Sequence, residues 1–272
     1  MTISLEIDAL TGNCPVRYSI CTLVTNHDEY RAMLDTFTAR GFRAPACEYI
    51  HIDNTHGNKH DAYSGLNVLL RAARGAYIIF CHQDIELLDD DMSVLDARIE
   101  EIGRLDQNWA LLGNAGGIRP GQLAIRITDL DGSDVRRGSF PVQVRSLDEN
   151  FLVLRASANL GLSRDLSGFH FYGTDLCIIA QTIGYNAYVI DFNLWHKGGQ
   201  SRRSSLADIG FYTSQQALIE KYRRAFSFRC IQTTCARFCL SGSRILSGLA
   251  NCKIVLSLMK RIFADRRRRA MG

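Results

Sequence analysis

The chain has 272 residues, 46% hydrophobic and 22% charged, enough apolar material for one large buried core and too much for a disordered segment. Its net charge of +4 is concentrated in the last twelve residues, where Arg261 and Arg266 to Arg269 face only Asp265, so the body is nearly neutral and offers no large nucleic-acid surface. No run reaches the roughly 18–20 apolar residues that span a bilayer. Glu6 and Asp8 leave no secretory h-region near the N-terminus, so a cytoplasmic protein is expected.

Residues 17–24 read as a first strand, followed by the polar Thr25-Asn26-His27-Asp28, in which Asn26 or Asp28 caps a helix running to about Arg40. A second strand, Cys47 to Ile52, ends in Asp53-Asn54-Thr55. A helix from Ala62 to Arg74 is stopped by Gly75 and leads into a third strand, Tyr77 to Cys81. This strand–helix order predicts a mostly parallel α/β sheet flanked by helices.

The rest of the chain is read in the same way. Residues 91–105 read as a helix and 109–112 as a strand. Gly113 to Gly121 reads as a glycine-rich turn without the lysine of a phosphate-binding loop. Residues 124–144 form a hairpin or meander turning at Asp131-Gly132. Strands are expected over 151–154 and 187–191, with helices over 175–183 and 204–226. Beyond that the chain reads as helical, amphipathic and basic, giving a main domain over 1–203 and a helical extension over 204–272. The nine cysteines include no Cys-x-x-Cys pair and read as reduced thiols, with Cys230, Cys235 and Cys239 in a helical core or interface rather than a zinc site.

Chemistry gathers where strands end. The apolar run Tyr77 to Cys81 breaks into His82-Gln83-Asp84, placing a carboxylate where open α/β sheets bind ligands. A carboxylate there suits a hard divalent cation and, with it, a phosphate-bearing substrate. Further polar breaks fall at Thr25-Asn26, Asp53-Asn54, Asp148, Asp175 and His196.

In order and spacing these pieces resemble the inverting, family-2-like glycosyltransferases of the GT-A fold, over roughly residues 17–200. The matching segments are Tyr49 to Asn54, Ala62 to Asn67, His82-Gln83-Asp84, Leu147 to Leu152, Phe169 to Leu176 and Leu194 to Gly199. The resemblance implies a nucleotide-sugar donor contacted by Thr25, Asn26, Asp53, Asn54, Asn67, His82 and Gln83. It implies Mn²⁺ or Mg²⁺ held by Asp84, with His196 as a further ligand, and Asp175 as the general base, with Asp148 near the sugar or acceptor and as the substitute base. The chain departs from the family at His82, where an acidic residue is usual, and at Gly173-Thr174, where an acidic pair is common.

The expected acceptor is a saccharide or a lipid-linked saccharide, as in surface-polysaccharide assembly. Two rivals stand beside this reading: a nucleotidyltransferase, which usually needs a glycine- and lysine-bearing loop where Thr25 to Asp28 stand, and a nucleotide-binding scaffold without turnover. The apolar face of 254–263 and the basic run to Arg269 point to an anionic membrane surface, and so to a peripheral position on its inner face.

Overall fold

Alternation along the strands sets which side chains meet which layer. In β3, Ile78 and Phe80 enter one buried cluster and Ile79 and Cys81 enter another. Two apolar faces at period two require a sheet covered by helices on both sides. The computed structural model describes residues 16–198 and 205–251 and has that arrangement.

The elements begin β1 (Tyr18–Val24), α1 (His27–Ala39), β2 (Cys47–Asp53), α2 (Ala62–Ala72), β3 (Tyr77–Cys81), β4 (Ile85–Glu86) and α3 (Met92–Leu105). A strand-rich stretch follows: β5 (Trp109–Gly113), β6 (Ala115–Arg119), β7 (Gln122–Thr128), β8 (Asp134–Arg137), β9 (Val142–Val144), β10 (Ser146–Leu147) and β11 (Phe151–Arg155). The described chain closes with α4 (Tyr172–Thr182), β12 (Asn186–Val189), β13 (Trp195–His196), α5 (Ser205–Tyr222), β14 (Arg229–Gln232), β15 (Arg237–Leu240) and α6 (Arg244–Asn251).

The main sheet has the order β2-β1-β3-β11-β5-β12-β9. β1 runs parallel to β2 and β3, and β12 to β5, while β11 and β9 are antiparallel to their neighbours. Helices α2, α4 and α5 bury Leu66, Leu69, Leu176, Ile178 and Leu218 on one face; α1 and α3 bury Met33, Phe37, Leu95, Ile99 and Ile102 on the other. Each such side chain contributes about 1.5–3 kcal/mol relative to exposure. A second sheet, β10-β6-β7-β13-β4 with β8 on β7, lies beside the ends of β3 and β11. The expected turn at Asp131-Gly132 joins β7 to β8, with Gly132 at φ +80°. Asn26, Asp61 and Asp91 cap α1, α2 and α3 with their side-chain oxygens.

Four expectations change. Gly113 to Gly121 is mostly strand β6, not a turn: Gly116 and Gly117 are small because the backbones of Ser146 and Gln232 press against them. The helix expected from Asp175 starts at Tyr172, three residues earlier. The stretch after α5 is not continuously helical but contains the hairpin β14–β15, whose Ile231, Phe238 and Leu240 join the same core cluster as α2 and α4. Cys230 and Cys239 stand opposite each other in that hairpin and form a disulfide, so the expectation of free thiols fails for this pair. Cys21, Cys47, Cys81 and Cys177 are free and buried, and Cys235 is exposed. No helix among the described residues is long and apolar enough to cross a membrane. The N-terminal Glu6 and Asp8, Gly199 and the basic segment 254–272 lie outside the described residues.

The hairpin docks through Gly117. A Cβ there would lie 1.6 Å from the Gln232 carbonyl oxygen, which is backbone and cannot rotate away. Gly117→Ala is therefore expected to cost about 1–3 kcal/mol. Gly210→Ala, in α5 with nothing within 4 Å of the added carbon, serves as the control and should be neutral or stabilising. Equal melting temperatures for the two variants would contradict this docking.

Candidate active site

The parallel strands β1, β2 and β3 deliver three polar ends to one edge of the sheet, and β13 brings a fourth group to them. His196 pairs with Ile85 of β4 and so stands beside Asp84, which closes the turn after β3. His196 Nε2 is 3.4 Å from Asp84 Oδ2, and His82 Nδ1 is 3.9 Å from Asp84 Oδ1. One ligand atom from each of His82, Asp84 and His196 lies within 4.8 Å of the others. The Asp84 and His196 side chains are only 11% and 9% exposed, so a charge between them is partly screened from water. Two imidazoles and a carboxylate form a donor set that fits Mn²⁺ better than Mg²⁺, which prefers oxygen alone.

A second layer orients His82. The Tyr172 hydroxyl donates to the Glu149 carbonyl at 3.0 Å and lies 3.0 Å from His82 Nε2. A carbonyl only accepts, so Tyr172 places its proton there. His82 Nε2 then carries the hydrogen and donates to Tyr172. The lone pair is left on Nδ1, the nitrogen that faces Asp84.

Glu149 was missed by the sequence reading. It sits in the short turn between β10 and β11, beside Asp148, inside the matching segment Leu147 to Leu152 in which only Asp148 is singled out. Its environment comes from α4: the backbones of Phe171 and Gly173 hydrogen-bond its carboxyl, and its Cγ is 3.5 Å from where a Gly173 Cβ would be. Phe171 starts that helix in the left-handed conformation at φ +66°, a costly geometry for a non-glycine residue. Burial, and secondarily the charge of Asp148, push the Glu149 carboxyl up to about 8 against those backbone bonds. Asp148 itself accepts from Thr234 in the hairpin turn and from the Asn150 amide.

The other expected site residues divide. Gln83 clamps the end of β1: its Oε1 accepts from the amides of Thr25 and Asn26 at 2.7 and 3.0 Å, and its Nε2 donates to Thr25 Oγ1 and Glu29. Thr25 and Asn26 are exposed at this edge. Asp53 accepts from Thr55 and faces His27 at 3.6 Å; the Thr55 bonds hold its carboxyl down at about 2. Asn54, by contrast, is buried and spends its side chain on Lys59 and His60 backbone. Asn67 exchanges two 3.0 Å bonds with the Leu162 backbone. Both amides hold loops together.

Asp175 is buried in the first turn of α4 and fully withdrawn from solvent. It accepts from Tyr222 at 2.6 Å, Ser163 Oγ at 2.7 Å and Ser163 N at 2.9 Å. Burial raises its pKa although these bonds pull the other way. The arrangement ties α4 to α5 and to the loop before α4, with the carboxylate out of contact with solvent. An amide in its place cannot accept on both atoms, so one buried donor loses its partner. Asp175→Asn should therefore lower stability by about 1–3 kcal/mol in a denaturant titration and leave donor binding in place. Unchanged stability with lost turnover would return the base to Asp175.

No protein-family model matches the chain. It is 38% identical over 231 residues to the "ATP synthase subunits region ORF 6" protein of Fuscovulum blasticum, covering 83% of this chain and 91% of that one. Among solved structures it is similar to the mannosyltransferase PcManGT of Pyrobaculum calidifontis in complex with GDP-Man and Mn²⁺, with a TM-score of 0.52 and 12% identity over 76% of this chain. A second is S. aureus TarS 1-349 in complex with UDP-GlcNAc, with a TM-score of 0.51 and 13% identity over 78% of this chain. The chain spans 64% of the first structure and 68% of the second. These likenesses establish the GT-A-like fold.

Proposed function

The chain belongs to the same family as the Fuscovulum blasticum ORF 6 protein, and for it we propose sugar transfer from a nucleotide-sugar donor, metal-dependent and inverting, onto a saccharide or lipid-linked acceptor. The observation that carries the reading is the clustering of His82, Asp84 and His196 at the ends of β3 and β13, in a GT-A-like fold. A divalent cation held there would neutralise the donor's pyrophosphate and ease its departure. Thr25, Asn26 and Asp53 line the adjacent strand ends, where a base and ribose would rest, with Gln83 fixing the backbone of Thr25 and Asn26. The donor complexes of the two structural relatives support this class of ligand.

Glu149 takes the role of general base in this proposal, since Asp175 is fully withdrawn from solvent whereas Glu149 keeps partial exposure. The acceptor hydroxyl oxygen attacks the anomeric carbon from the side opposite the diphosphate. The carbon–oxygen bond to the diphosphate breaks, its electron pair leaves with the nucleoside diphosphate, and the hydroxyl proton passes to the ionised form of Glu149, which gains ground as the pH rises toward about 8. Asp148, partly exposed next to it, holds a hydroxyl of the sugar or acceptor. A nucleotidyltransferase would instead release pyrophosphate, and a scaffold would release nothing. Incubation with a panel of nucleotide sugars, Mn²⁺ and oligosaccharide acceptors decides among them: release of nucleoside diphosphate with a β-product from an α-donor supports this function. Pyrophosphate release, or no release from any donor tested, contradicts it.

A further inference from the structure

At the far end of α4 from the histidine–carboxylate cluster lies a groove of about 800 Å³. Tyr172, which touches His82, and Gln181, which lines the groove, are nine residues apart on α4, or roughly 14 Å at 1.5 Å per residue. The groove is therefore separate from the candidate active site. Arg119, Arg145 and Arg229 line it together with Gln181, Phe226 and Phe228, and none of its lining residues is acidic.

Arg17, Arg74, Arg126 and Arg136 each meet a carboxylate. Arg119 bonds the Gln122 amide oxygen and Arg229 that of Gln181, so both spend a donor on a neutral acceptor. Neither they nor Arg145 meets a carboxylate among the described residues. Arg229 is held in place by the Phe226 ring, 4.7 Å from its guanidinium carbon. Arg145 lines the same groove, and burial and then its like charge depress the Arg229 pKa.

We propose that this groove is a binding site for a phosphate or diphosphate group, held between Arg145 and Arg229 with Arg119 at its edge. Planar guanidinium forks match phosphate oxygens two at a time, and a multiply charged anion relieves the repulsion that the pair otherwise carries. Phe228, 55% exposed at the rim, adds an apolar contact beside the anion. The group can be free in solution or carried on a lipid, and the site recognises the same chemistry in both.

The test uses the full chain in EDTA, so that no cation draws the anion to the Asp84 cluster. Inorganic pyrophosphate is titrated calorimetrically into wild type, Arg145→Gln and Asp84→Asn. Binding should weaken at least about tenfold in Arg145→Gln, the loss of a charge-assisted bond, and remain unchanged in Asp84→Asn. The Arg145→Gln protein should also melt no lower than wild type without anion, because a repulsive charge is gone. Sedimentation with phosphatidic acid and phosphatidylcholine vesicles separates the sources. Pelleting with phosphatidic acid only, lost in Arg145→Gln, assigns the group to a lipid; pyrophosphate binding without pelleting assigns it to a soluble ligand. Equal pyrophosphate affinity in wild type and Arg145→Gln, or binding of neither probe, overturns the proposal.

Discussion

Asp84→Asn is expected to weaken Mn²⁺ binding by at least about 100-fold, since a direct ligand should matter more than the outer partners whose loss costs 10–100-fold. The amide keeps the shape of the side chain but removes the negative charge that would hold a cation between His82 and His196. The strand itself should not suffer, because β3 is fixed by Ile78, Ile79 and Phe80 in the core and by pairing with β1 and β11. The measurement is the free Mn²⁺ signal in electron paramagnetic resonance during a titration. Wild type should suppress it and Asp84→Asn should not, with both proteins melting alike. If the variant suppresses it equally, the cluster is an internal salt-bridge network only.

Glu149→Gln should lower kcat by about 10²–10⁴-fold, the usual worth of a positioned general base, with donor affinity little changed. Glutamine still accepts from the Phe171 and Gly173 backbone through its oxygen, so the start of α4 keeps a partner. A role limited to capping that helix would leave kcat intact. The same variant carries a stability signature. The folded-state pKa of Glu149, about 8, lies above its ordinary 4.5. Between those values the folded protein holds a proton that the unfolded chain releases, so this group's contribution is complete below pH 4.5 and is lost as pH rises to 8. In EDTA, wild-type stability should fall through that window and Glu149→Gln should fall less. Parallel stability curves would show that the carboxyl is not enclosed as described.

The sequence made the frame of this site readable and left its chemistry half visible. Asp84 and His196 were legible because each follows an abrupt break in an apolar strand, and strand ends in a parallel sheet collect at one edge. Asn54 carries the same local signature and Asn67 and Asp175 stand in segments that match the family, but all three side chains turn inward to neighbouring loops and helices, and nothing in the spacing separates a polar residue that meets a ligand from one that holds a loop. Glu149 could not be found locally: its neighbourhood depends on Gly173, 24 residues later, leaving room at the start of α4. The β14–β15 hairpin was legible in principle. Arg229 to Gln232 and Arg237 to Leu240 are two short runs separated by four residues, a hairpin spacing that the helical reading of the C-terminal region overran.

The most direct test of the account is calorimetric titration of a panel of UDP- and GDP-sugars into the full chain, with Mn²⁺ and again with EDTA. The account predicts that at least one donor binds with Mn²⁺ present, that its binding disappears in EDTA, and that Asp84→Asn in Mn²⁺ behaves like wild type in EDTA. Binding of the same donor with equal affinity in Mn²⁺, in EDTA and by Asp84→Asn, or binding of none, would contradict a metal-dependent nucleotide-sugar site at His82, Asp84 and His196.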